Sequence, residues 1–183
     1  ATGFSVADKV YDGSRLAQVS GGSLSGLVGT ESLGVDAAGS FDTKDAGTKK
    51  RVSVTVALAN GNNGGLASNY RLEGLAGGLE AFASITPRPI SPANLNIVTR
   101  EYDGTRSASL VPGASLSGLA EGEDLVVRLV GGQFDTPNAG INKPVTGDLT
   151  IADGSRGLAS NYQLSTSDVA SMRGSITPRQ LSV

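Results

Sequence analysis

The chain has 183 residues, a formal net charge of −2, and neither cysteine nor histidine. Without Cys there is no disulfide framework, thiolate zinc site or cysteine nucleophile. Without His the chain lacks the side chain best suited to general base work and the commonest metal ligand, and no Ser/His/Asp triad can form. Charge is evenly spread, with eight acidic and eight basic residues before Ser91 and nine and seven after it. That is not the basic footprint of a nucleic-acid binder, and no apolar run approaches the roughly 18–20 residues of a membrane-spanning helix.

In chain order, Phe4-Ser5-Val6 alternates apolar and polar and reads as an opening strand with one buried face. Tyr11-Asp12-Gly13 follows as turn chemistry, the carboxylate accepting backbone N–H bonds and Gly tolerating positive φ. These features return further on. Tyr102-Asp103-Gly104 repeats the turn, and Ser23-Leu24-Ser25-Gly26-Leu27 reappears at Ser115–Leu119. Phe41-Asp42-Thr43 matches Phe134-Asp135-Thr136, and Ala46-Gly47 matches Ala139-Gly140. Gly65-Leu66-Ala67-Ser68-Asn69-Tyr70 is identical to Gly157–Tyr162, and Ile85-Thr86-Pro87-Arg88 to Ile176–Arg179. All offsets lie between 91 and 93 residues, so the chain is one unit written twice, with units expected at 1–90 and 91–183.

Within each unit, Leu33, Val35 and Ala37 match Leu125, Val127 and Leu129 at period two. An extra glycine near Gly131-Gly132 in the second copy suits a bulge or longer turn. The clearest strand is Arg51 to Ala59, with Val52, Val54, Val56 and Leu58 on one face. The second copy keeps Val145, Leu149 and Ile151 there, with Gly147 in place of Val54. Tyr70 and Leu72 (Tyr162 and Leu164) begin a further strand, and Ala81, Ala83 and Ile85 (Met172, Gly174 and Ile176) form the last one. No segment carries a sustained helical stripe. Short strands with frequent turn signals predict an all-β chain of two tandem Ig-like β-sandwich domains stacked end to end. The alternative is a β-grasp-like, mostly-β repeat with a short helix near Leu66–Asn69. The prolines of Pro87-Arg88-Pro89-Ile90-Ser91-Pro92-Ala93 are read as a stiff extended joint between the units.

For chemistry, Asp45 of the first unit becomes Asn138 in the second, so no carboxylate pair that includes it is shared, and no enzymatic activity is expected. Asp12, Asp42, Asp103 and Asp135 offer oxygen ligands for calcium, although their spacing matches no Ca²⁺ loop and each also reads as a turn cap. No other cofactor is expected. Tyr70 and Tyr162 read either as a stacking platform for sugar or as rings packed inside with the hydroxyl on backbone. Asn69 and Asn161 read as turn residues.

The ordered set Tyr-Asp-Gly, Leu-Ser-Gly, Phe-Asp-Thr with Ala-Gly, Ala-Ser-Asn-Tyr and Ile-Thr-Pro resembles the YDG-type repeat domains. Tyr11, Asp12, Gly13, Asn69 and Tyr70, with Tyr102, Asp103, Gly104, Asn161 and Tyr162, carry the resemblance. Arg88 and Arg179 depart from it where a small residue is expected. The resemblance implies tandem β modules of large, filamentous-haemagglutinin-like bacterial adhesins exported by two-partner secretion. The expected role is then a cell-surface or secreted stalk that projects an adhesive region for cell or biofilm-matrix attachment. The alternative is a glycan- or matrix-binding repeat acting by avidity. Expected partners are neighbouring repeats, polysaccharide or a host or bacterial surface, with no nucleic acid and no membrane insertion. The chain itself is expected to be a monomeric piece of a longer array.

Overall fold

A computed structural model describes residues 2–73, 78–165 and 172–183. Among these residues the chain is all-β, with no α-helix and two single-turn 3₁₀ helices, Ala67–Asn69 and Ala159–Asn161. It divides into two compact units, 1–87 and 88–183.

The first unit holds β1 (Thr2–Val6), β2 (Lys9–Val10), β3 (Leu16–Ala17), β4 (Val19–Ser23), β5 (Leu33–Phe41), β6 (Gly47–Asn60) and β7 (Leu79–Thr86). Its main sheet has the order β2-β7-β6-β5-β3, and β1 pairs separately with β4. The period-two pattern places β5 and β6 side by side, from Leu33 opposite Asn60 to Phe41 opposite Val52, without a break. On β6, Val52 and Val54 are buried and Val56 and Leu58 half-buried, while Arg51, Ser53, Thr55 and Ala57 are exposed. Phe41, Val52, Val54, Ala83 and Ile85 form the floor of this core, with Tyr11 buried as well.

The second unit holds β8 (Arg88–Ala93), β9 (Arg100–Glu101), β10 (Ser115–Ser117), β11 (Leu125–Phe134), β12 (Gly140–Asp153), β13 (Tyr162–Leu164) and β14 (Arg173–Thr177). The order β11-β12-β14-β9 repeats β5-β6-β7-β2 of the first unit without a strand equivalent to β3, and β10-β8-β13 forms a second sheet. Ile97, Phe134, Val145, Met172 and Ile176 make its core. Even the short parallel pairings agree: Lys9 faces Ile85 on β7, and Arg100 faces Ile176 on β14.

Two readings of the sequence change here. Arg88–Ala93 is not a joint but β8, the central strand of the second unit's small sheet, so the unit boundary falls at Pro87. Its prolines are compatible with this because the strand pairs over short stretches, parallel with β13 and antiparallel with β10. Tyr70 and Leu72 do not begin a strand, whereas Tyr162–Leu164 is β13. Short parallel pairs accompany the antiparallel ladders of the all-β fold.

The extra glycine behaves as a bulge. The β11–β12 register shifts between Val130 and Gln133, and Gly147 lies opposite that irregularity. A Cβ at Gly147 would sit 2.7 Å from Leu129 Cδ1 and 3.1 Å from the Val130 carbonyl oxygen. Leu129 therefore fills the space that Val54 fills in the first unit. Gly147→Val restores the first unit's residue, yet the expected result is overpacking that destabilises the chain by about 1–3 kcal/mol. Urea unfolding monitored by circular dichroism measures this directly.

Candidate functional site

The residues that recur in both copies build three local devices in each unit. The first is at Tyr-Asp-Gly. Asp12 Oδ1 accepts the Ser14 N–H at 2.8 Å, and Asp103 Oδ1 accepts the Thr105 N–H at 2.8 Å. Each aspartate thereby closes its own turn. A cation two residues before the tyrosine locks the turn. Lys9 Nζ donates to Asp12 Oδ1 at 2.8 Å and to the Ser14 carbonyl at 2.9 Å, while Arg100 donates to Asp103 Oδ1 and to the Thr105 carbonyl. The same cations lie over the core phenylalanines, Lys9 Nζ 5.5 Å from the Phe41 ring centroid and Arg100 Cζ 5.7 Å from that of Phe134.

The second device is at Phe-Asp-Thr. The carboxylates of Asp42 and Asp135 accept the next residue's N–H, at 2.7 Å from Thr43 and 2.8 Å from Thr136. Lys50 Nζ lies 3.1 Å from Asp42 Oδ1 and Lys143 Nζ 2.7 Å from Asp135 Oδ1. The four aspartates singled out as calcium ligands thus each carry a resident Lys or Arg. Among the described residues, no three acidic side chains converge as a metal cluster would require.

The third device is a tyrosine latch. The Val28 N–H donates to Tyr70 Oη at 3.1 Å, and that hydroxyl donates to Glu31 Oε2 at 2.5 Å. In the second unit, the Ala120 N–H donates to Tyr162 Oη at 3.1 Å, and the hydroxyl donates to Glu123 Oε2 at 2.7 Å. Tyr162 is buried and Tyr70 half-buried. The 3₁₀ turn before each tyrosine is held by Asn60 Oδ1 accepting the Ala67 N–H at 2.8 Å, and by Asp153 Oδ1 accepting the Ala159 N–H at 2.7 Å. Asn161 is buried beside its latch, whereas Asn69 is exposed.

Sequence reasoning passed over Lys9, Arg100, Glu31 and Glu123. A signal was there for each: the positive charge keeps its place before Tyr-Asp, and a glutamate stands 39 residues before each latch tyrosine. The devices do not converge on one cleft, because each ties its own turn to its own sheet.

Their electrostatics set the acid behaviour of the fold. The Thr105 backbone N–H and hydroxyl, then Arg100, hold the Asp103 carboxyl down at about 2. At Asp12 burial pushes upward, but Lys9 and Ser14 outweigh it and leave the carboxyl below its usual range. Asp42 and Asp135 are lowered chiefly by Lys50 and Lys143. Folded pKa values below the unfolded ones contribute stability that is complete above about pH 5 and lost as pH falls through the folded values. Melting temperature is therefore expected to be flat between about pH 5 and 8, where no side chain of ordinary pKa titrates in a chain without His or Cys. It should fall steeply below pH 4, with a shallower fall in Asp103→Asn. Tyr162→Phe deprives the buried Ala120 N–H of its acceptor and should cost about 1–3 kcal/mol in urea unfolding.

Comparison with known proteins gives one family. The YDG domain model matches twice, at residues 1–77 and 86–170, and neither the curated proteins nor the solved structures yield a match. Both matched stretches contain the full set of turn, clamp and latch residues described above, and the chain belongs to the YDG domain family as two tandem copies.

Proposed function

We propose that the two units are structural repeats that serve as a spacer in an exported bacterial surface protein, holding an adhesive region away from the cell. One observation carries this reading: the residues repeated between the copies are consumed in holding each copy's own fold. Asp12, Asp42, Asp103 and Asp135 close turns against Lys or Arg, and Tyr70 and Tyr162 fasten backbone to Glu31 and Glu123. A binding repeat would be expected to repeat an outward-facing set of polar and aromatic groups. Because each of these aspartates already carries a Lys or Arg partner, no calcium site is proposed, nor any enzymatic activity.

A specific observation favours a second reading, a weak glycan-binding repeat. Tyr102 is 39% exposed and borders an open cavity of about 400 Å³ with Asn138, Pro178 and Arg179. An exposed ring beside hydrogen-bonding groups is what a sugar face needs. Against it, Tyr11 at the equivalent place is fully buried, so such a platform would not be common to both units and would gain nothing from repetition.

Thermal unfolding with calcium and with a panel of bacterial and host polysaccharides separates the readings. A ligand at a hundred times its dissociation constant adds about 2.7 kcal/mol to the folded state, a shift of roughly 10 °C for units of this size. The spacer reading expects no shift with any of them. A polysaccharide shift that Tyr102→Ala abolishes would move the assignment to the glycan-binding repeat, and a calcium shift would show that the aspartate clamps open to a metal.

A further inference from the structure

The loop after β6 carries two Asn-Gly pairs, Asn60-Gly61 and Asn63-Gly64. An asparagine followed by glycine is chemically labile. The glycine nitrogen is unhindered and its φ and ψ are free, so it can reach the carbonyl carbon of the asparagine side chain. The fold treats the two pairs oppositely. The Gly61 N–H donates to the Gly65 carbonyl at 3.0 Å, and Asn60 Oδ1 accepts the Ala67 N–H at 2.8 Å. A Cβ at Gly61 would stand 2.1 Å from the Ser32 carbonyl oxygen, so this backbone is wedged against the residue that precedes β5. Both groups that would have to react at Asn60 are therefore held.

Asn63-Gly64 is placed differently. It forms the two central positions of a turn closed by the Gly65 N–H on the Asn62 carbonyl at 3.1 Å. Asn63 has φ 56° and Gly64 φ 85°, as such a turn of left-handed residues requires. Both residues are exposed. Among the described residues the Gly64 N–H donates to no other group. The nearest atom to a Cβ there would be Glu31 Oε1, 4.0 Å away, so Gly64 has the room that Gly61 lacks. The loop is open in both units: with β8 in place beside β13, Ser155 and Arg156 of the corresponding loop are exposed as well.

The Asn63 amide is tied to the tyrosine latch. Asn63 Nδ2 donates to the Thr30 carbonyl at 3.0 Å, and Thr30 lies between the two latch residues Val28 and Glu31, which meet Tyr70. The amide thus staples the turn to the loop that holds the latch. A carboxylate at position 63 has no hydrogen to give the Thr30 carbonyl, and it adds a negative charge beside Glu31. The second unit has no such amide. Its loop is Asp153-Gly154-Ser155-Arg156-Gly157, held by Asp124 accepting the Ser155 and Arg156 N–H groups at 3.0 and 2.8 Å.

We propose that Asn63-Gly64 is a self-modifying site, at which deamidation releases the turn from Thr30 and loosens the tyrosine latch of the first unit alone. The Gly64 nitrogen attacks Asn63 Cγ, an intramolecular step between neighbouring groups. As the N–Cγ bond forms, the Cγ–Nδ2 bond breaks, and ammonia leaves with the proton of the Gly64 nitrogen. Water then opens the five-membered imide, at Cγ to leave aspartate or at the Asn63 backbone carbonyl carbon to leave isoaspartate. The net change is amide plus water to carboxylate plus ammonium, with no redox step. Both products lack the donor to Thr30, and isoaspartate also lengthens the main chain inside the turn. The inference goes beyond the spacer reading and does not depend on it.

The test ages the whole chain in mildly alkaline buffer and follows each asparagine by peptide mapping and mass spectrometry, with a synthetic peptide of residues 58–68 as the unstructured reference. In the folded chain Asn63 should convert roughly tenfold or more faster than Asn60, the difference that two hydrogen bonds amount to. In the peptide the two should convert at similar rates. The consequence is read by hydrogen exchange on Asn63→Asp, which carries the aspartate product from the start. Its Val28 amide should exchange about threefold or more faster than in the parent chain, while the Ala120 amide of the second unit is unchanged. Equal conversion of Asn60 and Asn63 in the folded chain, an Asn63 that stays intact while the peptide converts, or a Val28 amide equally protected in Asn63→Asp would each overturn the proposal.

Discussion

Each unit depends on one constraint: a long antiparallel hairpin has to bury a single apolar face in a chain with few large side chains. The chain has four Phe, four Tyr and no Trp. In the first unit, β5 and β6 run together over nine pairs and set Phe41 against Val52. In the second, β11 and β12 do the same around Phe134 and Val145. With so little aromatic volume, one fully buried phenylalanine per hairpin anchors the core. Small residues such as Ala83 and Gly174 let the neighbouring strand approach closely. A Cβ at Gly174 would meet Ile97 Cγ2 at 2.6 Å and Phe134 Cε1 at 2.9 Å, so this glycine is a packing requirement rather than a turn.

The polar repeats serve that hairpin. The Tyr-Asp-Gly and Phe-Asp-Thr turns lie at the end of the sheet where Phe41 and Phe134 are seated. Arg15 Nε donates to the Phe41 carbonyl at 2.7 Å and Arg106 Nε to the Phe134 carbonyl at 2.8 Å. Lysines and arginines thus cap the end of the core, neutralise the turn aspartates and cover the aromatic faces. Partly exposed ion pairs of this kind add little energy singly. Their value lies in fixing turn geometry, because each carboxylate is also bound to its own turn's backbone. The opposite end of the hairpin is held by the tyrosine latch, which joins the turn before the tyrosine to the loop containing Glu31 or Glu123. Repetition of these devices reflects repetition of a fold, and that supports a spacer over a recurrent binding face.

Much of this was legible in the sequence, because period-two alternation and a repeated block are local or one-dimensional signals. The 91–93-residue offset established two units. The alternation of Val52, Val54, Val56 and Leu58 identified the buried face, and the extra glycine beside Gln133 marked a bulge or a longer turn, of which the register shows the bulge. The aspartates read correctly as residues of turns, since an Asx turn is formed by neighbours in sequence. What sequence alone determined, then, is the existence and inward face of the long strands and the chemistry of the turns between them, while their full lengths, such as Gly47–Asn60, were set by pairing. Tertiary structure alone decided the rest: that β2 and β9 pair in parallel with the last strands, that Glu31 and Glu123 receive the tyrosine hydroxyls from 39 residues away, and that Arg88–Ala93 is a central strand. Each depends on which distant backbone edge or side chain is brought alongside. A proline-bearing segment is equally extended in a linker or in a sheet, and only its neighbours, Tyr162–Leu164 and Ser115–Ser117, make it a strand.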